Sequence, residues 1–410
     1  MSCPTQYTTG RGGPLAGITV LDLSAYLAGP YGCTLLADLG ARVIKIEPPG
    51  GDNVRHYPST LKPEARGFVG NNRSKEGIVL DLKHPDGLAA LKRLIRQSDV
   101  LVHNFRPGVP ARLGISYACL STDHPRLVYC AVTGYGESGP LKDHAGYDQV
   151  LQTMTGLSEA QGAVRNEPPQ LLMGSIVDYY TACMAAFGIV SALYAREHTG
   201  CGQYVGASLM RSALAMQAGR FVWADSEPLD AGREFGSGGV TGLHPTRDGW
   251  LYISANTPHF WKSLCRLLGL PALGDDDRYD SIRKRAERAS EIVPAIREAL
   301  LARSALEWEA VFGSEVPCAA ARSVSAMFSH PQVLAQDLVH RYEHPTVGSF
   351  LGFKNPIEFG ATPCPAPFAS PTLGQHTRTV LASFGFEPAE IEALERQGTT
   401  SMHQPAQASA

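Results

Sequence analysis

Ile18 to Leu23 reads ITVLDL, a short apolar run with β-branched residues, and is expected to form a buried strand. A Gly29-Pro30 break follows, then the helical stretch YGCTLLADLG ending at Gly40, then a second strand signal in ARVIKIE from Ala41 to Glu47. Two strands joined through a helix over so short a distance run parallel, because the helix returns the chain to its starting edge. The pattern recurs in GIVLDL, the amphipathic HPDGLAALKRLIRQ, SDVLVHNF and RLVYCAVTGYG. The expected fold class is α/β, with an open parallel sheet of Rossmann type.

Farther along, DYYTACMAAFGIVSALYAREH reads as a long apolar helix closed by Gly200, and ASLMRSALAMQAGRFVWA as a second helix. After Trp223 the texture shifts to glycine-rich loops, an Asp248-Gly249 turn and charged helices from Ser281 to Phe312. A chain of 410 residues is too long for one small core. The expected division is a large α/β domain over residues 14–223 and a smaller α+β domain over 224–328. Residues 329–398 are expected to return to the large domain, and 399–410 to be a disordered tail.

Several function classes are excluded. With 36 basic against 39 acidic residues and a net charge of -3, neither nucleic acid nor an anionic membrane is an expected partner. The nine cysteines form no C-x-x-C pair, which fits reduced thiols and no zinc or other metal site. No signal-like segment is seen at the N-terminus and no apolar run of about 20 residues is apparent, so the expected location is cytoplasmic. There is no G-x-x-x-x-G-K-[ST] loop, no G-x-G-x-x-G fingerprint after the first strand, no G-x-S-x-G elbow and no H-E-x-x-H.

What chemistry remains centres on Asp178, in MGSIVDYYTACMAAFG, where a Gly174-Ser175 turn enters the long helix. An aspartate there reads as a helix cap. The cap is the commoner reading; compatible with it is a nucleophile that the helix terminus keeps ionised. Arg42, Lys45, Arg73, Lys75, Arg106 and Arg112 lie beside strand ends, where open α/β sheets bind ligands. Each alone reads as a surface charge; together they suit the phosphates of a nucleotide-like ligand. The Gly134-Tyr135-Gly136 segment after a strand reads either as a loop whose backbone approaches a ligand or as a tight turn.

Taken in order, GITVLDLSAYLAGPYGCTLLADLGARVIKIEPPGGD, NRSKEGIVLDLKHPDG, DVLVHNFRPGVPARLG, VTGYGESGP, AGYD, the Asp178 segment, HPTVG and LGQHT resemble the class III coenzyme A transferases. The resemblance implies a Rossmann-like large domain built from both chain ends, a smaller domain, and a homodimer of interlocked subunits. It implies Asp178 as the nucleophile, forming an aspartyl anhydride and then an aspartyl-CoA thioester. It also implies Lys75, Asn104, Phe105, Arg106 and Arg112 as coenzyme A contacts, with Arg42, Arg73 and Tyr135 completing the binding set. Gly236, Gly238 and Gly239 would form a glycine loop over the reacting atoms. No cofactor is implied beyond coenzyme A as substrate.

Two departures bear on substrate. Glu76 replaces a basic residue of the family's N-R-x-K segment, and Leu27 stands where formyl-CoA transferase has glutamine, which argues against a formyl or oxalyl substrate. The last motifs are closest to members that use succinyl-CoA and small dicarboxylates. Two rivals stand beside this reading. An α-methylacyl-CoA racemase needs a base where this chain has Tyr147, and tyrosine is a poor base near neutrality. An inactive coenzyme A-binding subunit would not need Asp178.

Overall fold

The computed structural model describes residues 12–163, 167–227 and 238–400. Six strands form one parallel sheet: β1 (Thr19–Asp22), β2 (Arg42–Glu47), β3 (Lys75–Val79), β4 (Val100–His103), β5 (Val128–Thr133) and β6 (Tyr204–Ser208). Their order is β3-β2-β1-β4-β5-β6. β6 lies in a stretch for which the sequence suggested no strand; only five residues long, it carries Gly206 at its centre and sits at the sheet edge.

Both faces of the sheet are covered, which is why the strands read as continuous apolar runs and not as alternating ones. Val20, Val43, Val100, Val128 and Cys130 point to one face, where α1 (Ala28–Asp38) and the long helix Ile176–Thr199 pack. Leu21, Ile44, Leu101 and Tyr129 point to the other, under α2 (Pro85–Ile95) and the late helices Thr377–Ser383 and Pro388–Arg396.

The chain divides into two units. One unit comprises residues 1–222 and 335–410, the other 223–334, so the inserted unit extends six residues past the expected 328. Within it, β7 (Gly242–Pro245), β8 (Trp250–Ile253) and β9 (Cys318–Ala320) form an antiparallel sheet. Trp261, Ile292 and Phe312 fill its core.

The returning C-terminal segment runs along β3, the edge strand of the large sheet. Ser74 N–H donates to Phe368 O, Gly77 N–H to His376 Nδ1, and Asp81 N–H to Thr399 O. Thr400 Oγ1 donates to Val79 O at 2.6 Å. Thr399 and Thr400 are buried, so the expected tail is too long by two residues; these satisfy edge backbone groups that would otherwise be open. Residues 401–410 lie outside the described ones.

The helix Ile176–Thr199 corrects another expectation, since its 24 residues are apolar and long enough to match a membrane span by composition. Alanines and glycine dilute the run in sequence, yet its Val177, Ala182, Ala185, Ile189 and Ala192 face packs on the sheet as the core helix of a globular unit does.

Candidate functional site

β1 connects onward to β2 and β3 on one side, while β4, β5 and β6 extend the sheet on the other. At that reversal the loops leaving β1 and β4 separate and open a crevice at the strands' carboxyl ends. A cleft of about 390 Å³ occupies it, lined by Leu23 after β1, Glu47 at the end of β2, Lys83 beyond β3, and Phe105, Arg112 and Leu113 beyond β4. Apolar walls with cations at the rim suit a flat base carrying phosphates. Among the described residues, neither Lys83 nor Arg112 forms an ion pair.

Asn104 is pinned inward rather than offered to a ligand. Its Oδ1 accepts Ala25 N–H at 2.9 Å and its Nδ2 donates to Ala25 O at 2.7 Å. This fixes the turn after β1, where Tyr26 adopts φ 70°, a left-handed conformation costly for a bulky residue. The Tyr26 ring meets Tyr147 edge-on, with centroids 6.1 Å apart, and Asn53 Nδ2 donates to the Tyr26 hydroxyl. Tyr147 precedes Asp148, and Asp148 reaches Asp178. A series of neighbouring residues thus runs from the loop after β4 to the Asp178 backbone N–H.

Asp178 sits in the first turn of the long helix, but it does not cap it. Asp148, almost fully buried, caps it from thirty residues earlier: its Oδ2 accepts Val177 N–H at 2.7 Å and Asp178 N–H at 3.0 Å. Burial first, and the Asp148 charge second, push Asp178 up to about 7. The expected effect of the helix terminus is thereby overturned, because another carboxylate already occupies its positive end.

Four cations expected at the ligand site are placed elsewhere. Arg42 opens β2 at the sheet's amino edge, where its Nε donates to Glu76 at 2.7 Å and its guanidinium to Ser383. Arg73 is buried against Asp38, with Nε to Oδ1 at 3.1 Å. Lys75 is wholly buried; its Nζ donates to Asp22 Oδ2 at 2.8 Å, Pro30 O at 2.7 Å and Asn72 Oδ1 at 2.8 Å. Lys45 likewise pairs internally with Asp52. Each charge is neutralised inside the protein, so none of the four faces the cleft. Phe105 and Arg112 line it, and Arg106 is exposed on the same loop.

Tyr135 packs partly against the core beside Gly146. Gly134 and Gly146 are in mutual backbone contact: a Cβ on Gly134 would lie 2.8 Å from Gly146 Cα. This close approach sets the path of the chain into Tyr147 and Asp148. Of the glycine loop, Gly236 lies outside the described residues. Gly238, at φ +63°, is held against Ala286 and Ala289, leaving a Cβ only 2.6 Å from the Ala289 Cβ; Gly239, at φ +88°, has open space. Among the described residues no His, Cys, Asp and Glu cluster could hold a metal ion.

Sequence reasoning missed Lys83 and Asp148. Lys83 had a usable signal, since it follows the GIVLDL strand as Arg106 follows β4. Asp148 had only the adjacent Tyr147.

The profile of CoA-transferase family III matches residues 15–377, and the chain belongs to that family. It is an enzyme, a coenzyme A transferase of the EC 2.8.3.- class. Among curated relatives, it is 32% identical over 403 residues to the succinate–glutarate CoA-transferase of Agrobacterium fabrum, covering 94% of this chain and 98% of that one. It is 35% identical over 332 residues to the acetyl-CoA:oxalate CoA-transferase of Acetobacter aceti, covering 80% and 85%. A solved CaiB/BaiF family protein from Brucella suis aligns with a TM-score of 0.79 at 28% identity, over 91% of this chain and all 100% of that one.

Proposed function

We propose that this enzyme moves coenzyme A from an acyl-CoA to a small carboxylic acid through covalent intermediates on Asp178. The observation that carries the reading is a half-buried carboxyl, raised to about 7, in the same α/β unit as a nucleotide-sized cleft at the strands' carboxyl ends. An ionised carboxylate of that basicity is a stronger nucleophile than an ordinary one.

The Asp178 carboxylate attacks the thioester carbonyl, the C–S bond breaks, and CoA leaves as thiolate, giving a mixed anhydride. The thiolate then attacks the Asp178 carbonyl and expels the donor acid, giving an aspartyl-CoA thioester. The acceptor carboxylate attacks that thioester, again releasing thiolate, which attacks the acceptor carbonyl and frees Asp178. Phe105, Lys83 and Arg112 hold the nucleotide end throughout, so the thiolate stays beside the reacting carbonyl. Activation comes from the thioester, and no cofactor enters.

The donor is succinyl-CoA-like and the acceptor a dicarboxylic or hydroxycarboxylic acid of about four to six carbons. The Agrobacterium relative's name, succinate–glutarate CoA-transferase, supports this choice. The enzyme works as an interlocked homodimer in the cytoplasm; an apolar stripe on the long helix, with Phe187 68% and Tyr194 70% exposed, supports a partner copy. The racemase reading is disfavoured by Tyr147, whose hydroxyl Tyr26 pushes above the usual tyrosine value and so away from use as a base.

Intact-mass spectrometry after mixing with an acyl-CoA panel, with hydroxylamine trapping, tests the proposal. An adduct on the parent that is missing from Asp178→Ala supports it and identifies the donor. No adduct with any thioester, together with α-proton exchange into deuterated solvent, favours the racemase instead.

A further inference from the structure

Asp148 does more than the fold requires of a capping residue. Its side chain is almost wholly buried, and it accepts from both Val177 N–H and Asp178 N–H through one oxygen. Its other oxygen accepts from Gln152 Nε2. Gln152 in turn donates to Leu172 O and accepts from Leu172 N–H at 2.8 Å, tying down the chain that leads to the Gly174-Ser175 turn. Gly174 at φ +90° and Ser175 at φ 55° are both left-handed, so the entry to the helix is a shape that needs an external clamp.

The charged and titratable groups around this turn are few. Tyr179 follows Asp178 and stacks edge-on with Tyr31 of α1, its hydroxyl donating to Asn71. Arg73 lies near Tyr31 but is committed to Asp38. Tyr147 carries the contact with Tyr26, and Arg106 lies within its field. Among the described residues no cation shifts Asp178; the one charge that does is Asp148.

We propose that Asp148 is a positioning residue of the transfer reaction, whose carboxylate both aims the Asp178 carboxyl through the helix's first turn and sets how strongly it attacks. The inference rests on Asp178 carrying the acyl group. By occupying the positive end of the helix, Asp148 removes the stabilisation a carboxylate would otherwise find there, and its own charge repels a second one. Asp178 is left more basic, and a more basic carboxylate is the better nucleophile toward a thioester. A plain cap would be as well served by asparagine or serine. The buried full charge, set against a second acid, is what distinguishes a tuning role.

The test compares the parent enzyme with Asp148→Asn, which keeps an acceptor oxygen and the side chain's shape but removes the charge. Aspartate labelled with ¹³C at the carboxyl is followed by NMR, with the Asp178 signal identified by its loss in Asp178→Asn. Adduct formation from succinyl-CoA in a single turnover is timed across pH 5.5 to 9, and melting temperature is measured alongside. Asp178 is expected to titrate near 7 in the parent and about one unit or more lower in Asp148→Asn, a roughly tenfold change in acid strength. Adduct formation at pH 8 is expected to slow about tenfold while the melting temperature falls only a few degrees. An unchanged midpoint in Asp148→Asn overturns the proposal, as does a rate loss that tracks melting temperature alone. Should that variant fail to fold, Asp148→Ser, which keeps a hydrogen-bond acceptor without the charge, is read by the same midpoint; a parent midpoint near 4 overturns the proposal in either case. The NMR titration needs no turnover, so a parent that titrates as expected yet forms no adduct refutes the transferase reading by itself.

Discussion

Replacing Lys75 with methionine separates two roles that the sequence alone does not distinguish. Lys75→Met keeps most of the stem's volume but deletes an ammonium that donates to Asp22, Pro30 O and Asn72 Oδ1, all buried. What remains is a buried Asp22 carboxylate. Burial alone would raise that acid, yet Lys75 and Lys45 hold it down at about 2. Removing one member of a buried ion pair costs about 3–5 kcal/mol, and the remaining help from Lys45 and the Ser24 hydroxyl places this case at the lower end. At about 2 °C per kcal/mol for a unit of this size, the melting temperature should fall by about 6 °C. Asp22→Asn combined with Lys75→Met should recover at least half of that loss, since the stranded charge is gone. Thermal melting gives the stability, and calorimetric titration of the folded protein gives the affinity for coenzyme A, which should be unchanged. A variant that melts like the parent and binds coenzyme A tenfold more weakly would refute the placement of Lys75 inside the fold.

Arg112→Ala should show the reverse pattern: affinity for coenzyme A weaker by about 5- to 100-fold in calorimetry, with the melt unmoved, because its guanidinium lines the cleft without an internal partner among the described residues. Asp178→Asn should abolish transfer yet stabilise the protein at pH 8. Asp178's folded value, about 7, lies above the usual 3.8, so the stability present below about pH 4 is lost as pH rises through 7. Melts should therefore favour the asparagine variant by about 1–3 kcal/mol at pH 8 and by almost nothing at pH 4. Ending the chain at Gly398 should cost about 1–3 kcal/mol in denaturant melts and weaken coenzyme A binding, since Thr399 and Thr400 bond Asp81 and Val79 beside the cleft; ending it at Thr400 should do neither.

Much of this was legible in the sequence because the information was local. The β1, α1 and β2 signals sit within thirty residues, and each strand's apolar run records burial on both faces. Asp178 was visible as a helix start, and the segment from Asn104 to Arg112 as the loop after β4. The misplaced cations share a cause. Composition shows that a cation lies near a strand, but which edge it reaches depends on strand direction: Arg42 and Lys75 open their strands, whereas Lys83 and Arg112 follow theirs. Asp148 was illegible for a different reason, since its partners, Val177 and Asp178, are brought to it by tertiary folding alone. The two-residue extension of the ordered C-terminus depends on the open edge of β3, which no local pattern at Thr399 reveals.

The chain's return across that edge also has a consequence for biosynthesis. One face of the large sheet is covered by helices from residues 377–396, and the strand beside the nucleotide cleft is sealed by Thr399 and Thr400. On a ribosome the first two hundred residues emerge with that face covered by α2 but still lacking Val380, Leu381, Ile391 and Leu394. Part of that apolar face stays open to chaperones, and the edge of β3 unsealed, until translation passes residue 400.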